Sequence, residues 1–267
     1  MLKKLLKYEL KATSRTFLPL YGCLLVFAVI NRIFGGLQHQ TENFSFFFGV
    51  SLTSYIFLIV AIFALTVFVM IQRFYKSLLG DEGYLMFTLP TTTGKLISSK
   101  LLVSIFWVIV SMIVTGISIL ILAMSTGFWK ALGQVLRALQ FYIKTSFSFA
   151  DVTALASLLL MGLSALLFFI LSVYCSIAVG HTFKRHRAIA SVGAYLGITI
   201  LTQFVTLFYL RIGSFILLKI PNLESYILYG EYGAHLGILL WCVLYLCLAA
   251  VCYVVTQQIL SKRLNLS

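Results

Sequence analysis

The residues best suited to chemistry in this 267-residue chain are its seven carboxylates, and none lies in the middle of an apolar stretch. They fall near the N-terminus or in polar connecting segments, as Glu9, Glu42, Asp81, Glu82, Asp151, Glu224 and Glu231. A carrier driven by a proton or sodium gradient ordinarily places an ionisable group within the membrane. The positions of the acids therefore disfavour such a carrier and point to an energy source outside the apolar segments.

The other reactive side chains form no recognisable catalytic, nucleotide-binding or metal-binding motif. Gly94-Lys95 lacks the first glycine and the following hydroxyl residue of a nucleotide-binding P-loop, and the chain has no H-E-x-x-H or G-x-S-x-G. His181 and His186 lie in a short basic segment where neighbouring cations disfavour a metal ion. The five cysteines all fall in apolar stretches without a C-x-x-C, so they are expected to be packing residues. The sequence predicts no catalytic residue, no metal site and no cofactor in this chain.

The composition explains which elements must position these residues. Hydrophobic residues make up 61% of the chain and charged residues 10%, and the mean hydropathy is +1.04. An average globular domain is about 45–50% apolar and about 25% charged. This composition excludes a soluble enzyme fold, a disordered chain and a nucleic-acid-binding domain. The net charge of +13 is better explained by membrane topology and anionic lipid headgroups.

Six segments are long and apolar enough to cross a bilayer. Five stretches of 23 to 32 residues contain no Asp, Glu, Lys or Arg. The first span is weaker, but 17–37 is nearly all apolar and the long stem of Arg32 allows its charge to reach the headgroups. We predict an all-α polytopic membrane protein, with residues 1–267 forming one domain. Its six transmembrane helices are expected near 17–37, 46–71, 101–124, 153–180, 188–210 and 236–258.

The distribution of cations predicts the orientation. With the N-terminus in the cytoplasm, fourteen of the twenty Lys and Arg residues lie on the inside, as the positive-inside rule requires. Six crossings then return the C-terminus to the cytoplasm. The first span has no small-residue cleavage site after it, so we expect it to remain as an uncleaved helix.

Two amphipathic segments flank the spans. At the N-terminus, leucines at helical spacing oppose lysines, which predicts an interfacial helix before the chain turns into the first span. A basic anchor that sets the topology would look the same as a docking element. Outside, 127–144 carries an apolar stripe of Phe128, Leu132, Val135, Leu139 and Tyr142. This pattern predicts an amphipathic helix on the outer surface, and a contribution to substrate exit is the less favoured alternative.

The cytoplasmic loop at 72–100 is the most informative connection. Gly80 can end a helix, and Asp81 and Glu82 suit the first turn of a short new helix, where carboxylates meet unpaired backbone N–H groups. A bulky apolar cluster follows at 84–89 before Pro90 stops the helix. Such a cluster either packs back on the bundle or the interface, or fills a groove on a partner protein.

The fifth span carries a polar stripe. It consists of Thr199, Thr202, Gln203 and Thr206. These side chains could line a pathway through the membrane, although hydrogen bonding between helices is the more common use of such residues.

These features together resemble a known family. The interfacial helix, the six spans, the cytoplasmic ends and the loop Gln72-Arg73-Phe74-Tyr75-Lys76…Gly80-Asp81-Glu82-Gly83-Tyr84-Leu85-Met86-Phe87-Thr88-Leu89-Pro90 are similar to an ABC transporter permease. The closest class is the type-two exporters of drugs, peptides or polysaccharides in Gram-positive bacteria. The resemblance implies a subunit of the bacterial plasma membrane that pairs with a second permease copy, as a homodimer or a paralogous heterodimer. It also implies a separate ABC-type ATPase that binds ATP and Mg²⁺, and no role for nucleic acid.

The resemblance also implies which residues meet that ATPase. The coupling helix would contact it through Arg73, Lys76, Asp81, Glu82, Tyr84, Leu85, Phe87 and Pro90. The next cytoplasmic loop would add a secondary contact through Lys184, Arg185 and Arg187. Two other functions remain open: a self-sufficient secondary transporter or channel, and a membrane sensor or immunity subunit that moves no substrate.

Overall fold

Helices account for nearly all of the observed chain. The structure is a computed structural model that describes residues 2–37, 42–78, 92–124, 126–145, 148–183, 185–219 and 233–262. In these ranges the chain forms seven helices and no strand: α1 Leu2–Leu37, α2 Glu42–Leu78, α3 Thr93–Ala123, α4 Thr126–Thr145, α5 Phe149–Gly180, α6 Arg187–Lys219 and α7 Gly233–Lys262. All except α4 contain a segment long and apolar enough to cross a membrane. The predicted all-α polytopic fold with six spans is confirmed.

The N-terminal segment differs from the prediction in one respect. α1 runs from Leu2 to Leu37 without interruption, so the amphipathic segment and the first span are one helix and the expected turn between them is absent. The reason is a continuous packing face, whose buried residues follow helical spacing from the amphipathic segment into the span: Glu9, Thr13, Phe17, Tyr21, Leu24, Ala28 and Asn31.

The helices also extend beyond the predicted spans on the side that the sequence predicts to be cytoplasmic. α2 continues to Leu78 and α3 begins at Thr93, so both ends of the predicted loop 72–100 are helical. The carbonyl of Thr92 accepts hydrogen bonds from the amides of Lys95 and Leu96, at 3.0 and 3.4 Å, and so begins α3. Between these two helices the structure describes only Thr92.

The described chain divides into two compact units. Unit 1 comprises residues 1–73 and 102–147, and its apolar core is formed by α1, α2 and α3. Phe17 and Trp107 stack at its centre, with ring centroids 4.5 Å apart. Unit 2 comprises residues 74–101 and 148–267, and within it α5 packs against both α6 and α7. The start of α6 approaches the end of α5 closely, because Gly180 faces the backbone of Ser191 without a side chain between them.

The five cysteines are free thiols and differ in their exposure. Cys23 and Cys247 are exposed, whereas Cys175, Cys242 and Cys252 are buried in unit 2. The Cys242 thiol donates a hydrogen bond to the carbonyl of Ser157, with 3.9 Å between sulfur and oxygen.

Candidate functional site

Both stems of the loop after α2, which the sequence predicts to be cytoplasmic, are embedded in unit 2. Phe74 and Leu78, in the last turns of α2, have no exposed surface. In the first turns of α3, Leu96, Ile97 and Lys100 are also buried. Apolar residues at both stems are thus removed from solvent and lipid, which fixes the two ends of the loop to the rest of the unit.

Specific contacts tie each stem to a different helix. The ring of Phe74 stacks on that of Tyr174 in α5, with centroids 4.1 Å apart and planes 12° from parallel. On the other stem, the hydroxyl of Tyr253 in α7 donates to the Gly94 carbonyl at 3.1 Å and lies 3.2 Å from the Ser98 hydroxyl. The loop is therefore attached through α2 to α5 and through α3 to α7.

The structure describes only some of the predicted coupling residues. Arg73 Nη1 lies 4.0 Å from Glu9 Oε2 within unit 1, and Glu9 is itself buried. Lys76 is exposed near the end of α2, Arg185 is exposed two residues before α6, and Arg187 is exposed at its first position. The remaining predicted contact residues lie outside the described residues: Asp81, Glu82, Tyr84, Leu85, Phe87, Pro90 and Lys184.

The connection from α5 to α6 carries a half-buried histidine beside one stem. The His181 ring lies 5.1 Å from that of Tyr75, between centroids, and its Nε2 is buried without a hydrogen-bond partner in the described chain. Burial, with a smaller contribution from the Arg187 charge, lowers the pKa of His181 below its usual 6.5. The lowered pKa means that the neutral form of His181 suits this position. His186, at the end of this connection, has a positive φ of 61°.

The polar stripe of α6 is partly exposed. Thr199 and Gln203 are exposed and Thr202 and Thr206 are half-buried. The hydroxyls of Thr199 and Thr202 donate to carbonyls one turn back in their own helix, and Gln203 forms no hydrogen bond to a described residue. No residue in the most apolar window of α6 is buried inside the chain. The described chain therefore leaves the edge formed by Thr199 and Gln203 uncovered.

A cleft along α2 was not predicted from the sequence. It is an open groove of about 680 Å³ on the surface of α2, and the described residues that line it all belong to that helix. Aromatic and small residues line it at helical spacing: Phe46, Gly49, Val50, Thr53, Ser54, Phe57, Leu58 and Ala61. Thr53 and Ser54 donate to carbonyls of their own helix, so their hydroxyls add little polarity. The cleft would suit an apolar or amphipathic molecule.

A buried polar stripe on α3 also escaped the sequence prediction. In unit 1 the hydroxyl of Ser111 bonds that of Tyr21 at 2.7 Å and that of Thr66 at 3.1 Å, joining three helices. Tyr55 and Ser118 form a similar bond at 2.8 Å. Hydrogen bonds between membrane helices hold their relative positions. This stripe therefore has a structural role, and its regular spacing of small polar residues on α3 is the signal that could have revealed it.

The described residues contain no group of three or more His, Cys, Asp and Glu side chains that could hold a metal ion. Comparison of the chain with models of known protein families, with curated proteins and with solved structures found no match. The geometry provides two fixed stems of the predicted coupling loop, an apolar cleft on α2 and an exposed polar edge on α6.

Proposed function

We propose that this chain is the permease subunit of an ATP-driven exporter of the ABC type-two class in a bacterial plasma membrane. It forms the substrate pathway together with a second permease copy. The chain itself catalyses no reaction, and a separate ABC-type ATPase binds and hydrolyses ATP with Mg²⁺. The predicted coupling residues within 72–100 contact that ATPase.

The attachment of the loop is the observation that carries this proposal. A coupling element must transmit the movement of its partner to the spans, and it can do so only if its connection to them is rigid. Protein interiors are close-packed and have low compressibility, so buried stems transmit displacement. The Phe74–Tyr174 stack and the Tyr253–Gly94 hydrogen bond supply that connection, to α5 and α7 respectively.

The carboxylates support an external source of energy. Among the described residues, Glu9, Glu42 and Asp151 lie near the N-terminal ends of their helices rather than at mid-span. Glu9 is also close to Arg73. A gradient-driven carrier would ordinarily need an ionisable group deeper in the membrane.

The open surfaces support a pathway for an apolar or amphipathic substrate. Gln203 lies in the middle of an apolar helix and is exposed, and an amide in lipid without a hydrogen-bond partner is costly. Water in a pathway or a second permease copy would satisfy it. The α2 cleft, lined by Phe46 and Phe57, offers an apolar surface of suitable size.

The decisive test is the association with an ATPase. Affinity-tagged full-length chain is purified from its native membranes, and a P-loop ATPase is identified by mass spectrometry. A variant with Asp81→Arg, Glu82→Arg and Phe87→Ala is expected to lose this subunit. The matched control changes two cations and one phenylalanine on the predicted outer side, Lys130→Glu, Arg137→Glu and Phe141→Ala, and is expected to retain it.

Two results would contradict the proposal. The first is that no ATPase accompanies the chain, or that the loop variant retains it as well as the unmodified protein does. The second comes from vesicles containing the purified chain alone. If these vesicles dissipate an imposed proton gradient much faster than protein-free vesicles, a gradient-driven transporter becomes the better explanation.

A further inference from the structure

The short helix α4 presents an apolar face that the chain does not cover. Trp129, Leu136, Leu139 and Ile143 each leave about half of their surface exposed. Helical spacing of 3.6 residues per turn places these four side chains on one side of α4. An exposed apolar face of this kind requires an apolar environment.

An adjoining side of α4, about a third of a turn away, carries three cations in a line, with the exposed Phe141 beside them. Lys130, Arg137 and Lys144 are seven residues apart, and seven residues are nearly two full turns, so the three side chains share one stripe. All three are exposed, and none has an ion pair with any carboxylate that the structure describes. Residues 126–145 contain no Asp or Glu.

The connections of α4 restrict where this helix can lie. Two residues separate it from the end of α3 and three from the start of α5. The second connection ends in a reciprocal cap, in which the Ser148 amide donates to Asp151 Oδ2 at 2.8 Å and the Asp151 amide donates to the Ser148 carbonyl at 3.1 Å. Because α3 and α5 are membrane spans, such short connections keep α4 at the membrane surface.

We propose that α4 is a binding surface for anionic phospholipid headgroups in the bilayer around the protein. Its apolar face lies among the acyl chains, while Lys130, Arg137 and Lys144 contact lipid phosphates. Successive cations are about 10 Å apart along the helix axis, so each meets a different headgroup. A second copy of the chain fits this surface less well, because two stripes of cations without acids would repel each other.

The test measures lipid affinity directly on the full-length protein. Short-chain phosphatidylglycerol or phosphatidylcholine is titrated into detergent-solubilised protein, and bound lipid is counted by native mass spectrometry. Each cation near an anionic surface is expected to contribute about fivefold. The variant Lys130→Gln, Arg137→Gln, Lys144→Gln should therefore bind phosphatidylglycerol on the order of 100-fold more weakly. Its affinity for phosphatidylcholine should not change.

Three controls keep the result specific. The charge-conserving variant Lys130→Arg, Arg137→Lys, Lys144→Arg should retain the affinity of the unmodified chain within about twofold. A high salt concentration should weaken only the phosphatidylglycerol binding. Circular dichroism should show the same helix content in every variant, since the substituted side chains are exposed.

Several outcomes would overturn the proposal. One is equal affinity of the unmodified protein for the two lipids, and another is full retention of phosphatidylglycerol by the glutamine variant. Competition by inorganic phosphate at equal concentration would indicate a site for free anions instead. A change in oligomeric state, with lipid binding unaltered, would mean that α4 is an interface between copies.

Discussion

The hydrogen bond between Trp107 and Thr13 allows the packing of unit 1 to be tested quantitatively. Trp107 Nε1 donates to Thr13 Oγ1 at 2.7 Å, and the Thr13 hydroxyl donates in turn to the Glu9 carbonyl at 2.8 Å. Trp107 is 6% exposed and Thr13 is 2% exposed. Water therefore cannot replace either partner when one of them is removed.

The structure predicts the size of each effect. Thr13→Val keeps the shape of the side chain but leaves the indole N–H buried without an acceptor, which should cost about 1–3 kcal/mol of unfolding free energy. Trp107→Phe removes the same bond and part of the stack on Phe17, and should cost a similar amount. The double variant lacks both partners, so its loss should be smaller than the sum by about 1 kcal/mol, within the range found for bonds between membrane helices.

The assay is reversible unfolding of the full-length protein in mixed micelles by a denaturing detergent, followed by circular dichroism. Ser14→Ala is the matched control, because the Ser14 hydroxyl donates only to the Lys11 carbonyl of its own helix. This variant should change the unfolding free energy by less than about 0.5 kcal/mol. The reasoning is refuted if the two single losses are strictly additive, or if Ser14→Ala is as damaging as Thr13→Val.

Three further predictions follow from other contacts and can be measured in the same unfolding assay. Gly180→Ala places a Cβ 2.6 Å from backbone atoms of α6 and should destabilise the protein by about 1–3 kcal/mol. In the control Gly193→Ala the new Cβ meets no atom within 4 Å, so this variant should be nearly neutral. Equal effects of the two substitutions would contradict the close approach. Asn31→Asp puts a carboxyl at a fully buried position and should cost about 3 kcal/mol or more; a stability equal to that of Asn31→Leu would argue against this environment. Because the folded protein holds the pKa of His181 below 6.5, this residue stabilises it above pH 6.5, and the contribution is lost as the pH falls from there through the folded-state pKa. His181→Gln should flatten this part of the pH profile, and an unchanged slope would exclude His181 as its source.

The spans could be predicted from the sequence because their signal is local. A stretch such as 152–183 contains no charge, and no arrangement of neighbouring helices is needed to recognise that it can cross a membrane. The continuity of α1 was missed for the opposite reason. Lysines and polar residues before Phe17 indicate an interface, and only the packing of Glu9 and Thr13 against other helices shows that one buried face extends through both parts.

Less of the candidate site than of the spans could be predicted from the sequence. The stems of the loop depend on contacts between residues far apart in the chain, such as Phe74 with Tyr174 and Gly94 with Tyr253. The α2 cleft depends on which side of α2 the described chain leaves uncovered, and a local sequence pattern does not determine that. The polar stripe of α6 was visible in the sequence, but its exposure could be known only from the arrangement of the helices.

The unequal exposure of the cysteines provides a built-in probe of the native state. A lipid-soluble thiol reagent should label the exposed Cys23 and Cys247 before the buried Cys175, Cys242 and Cys252, which should react only when unit 2 opens. Counting the added mass at successive times would thus separate local opening from global unfolding without engineered labels. For this membrane protein, such a count would report whether a purified preparation is folded before any functional assay is attempted.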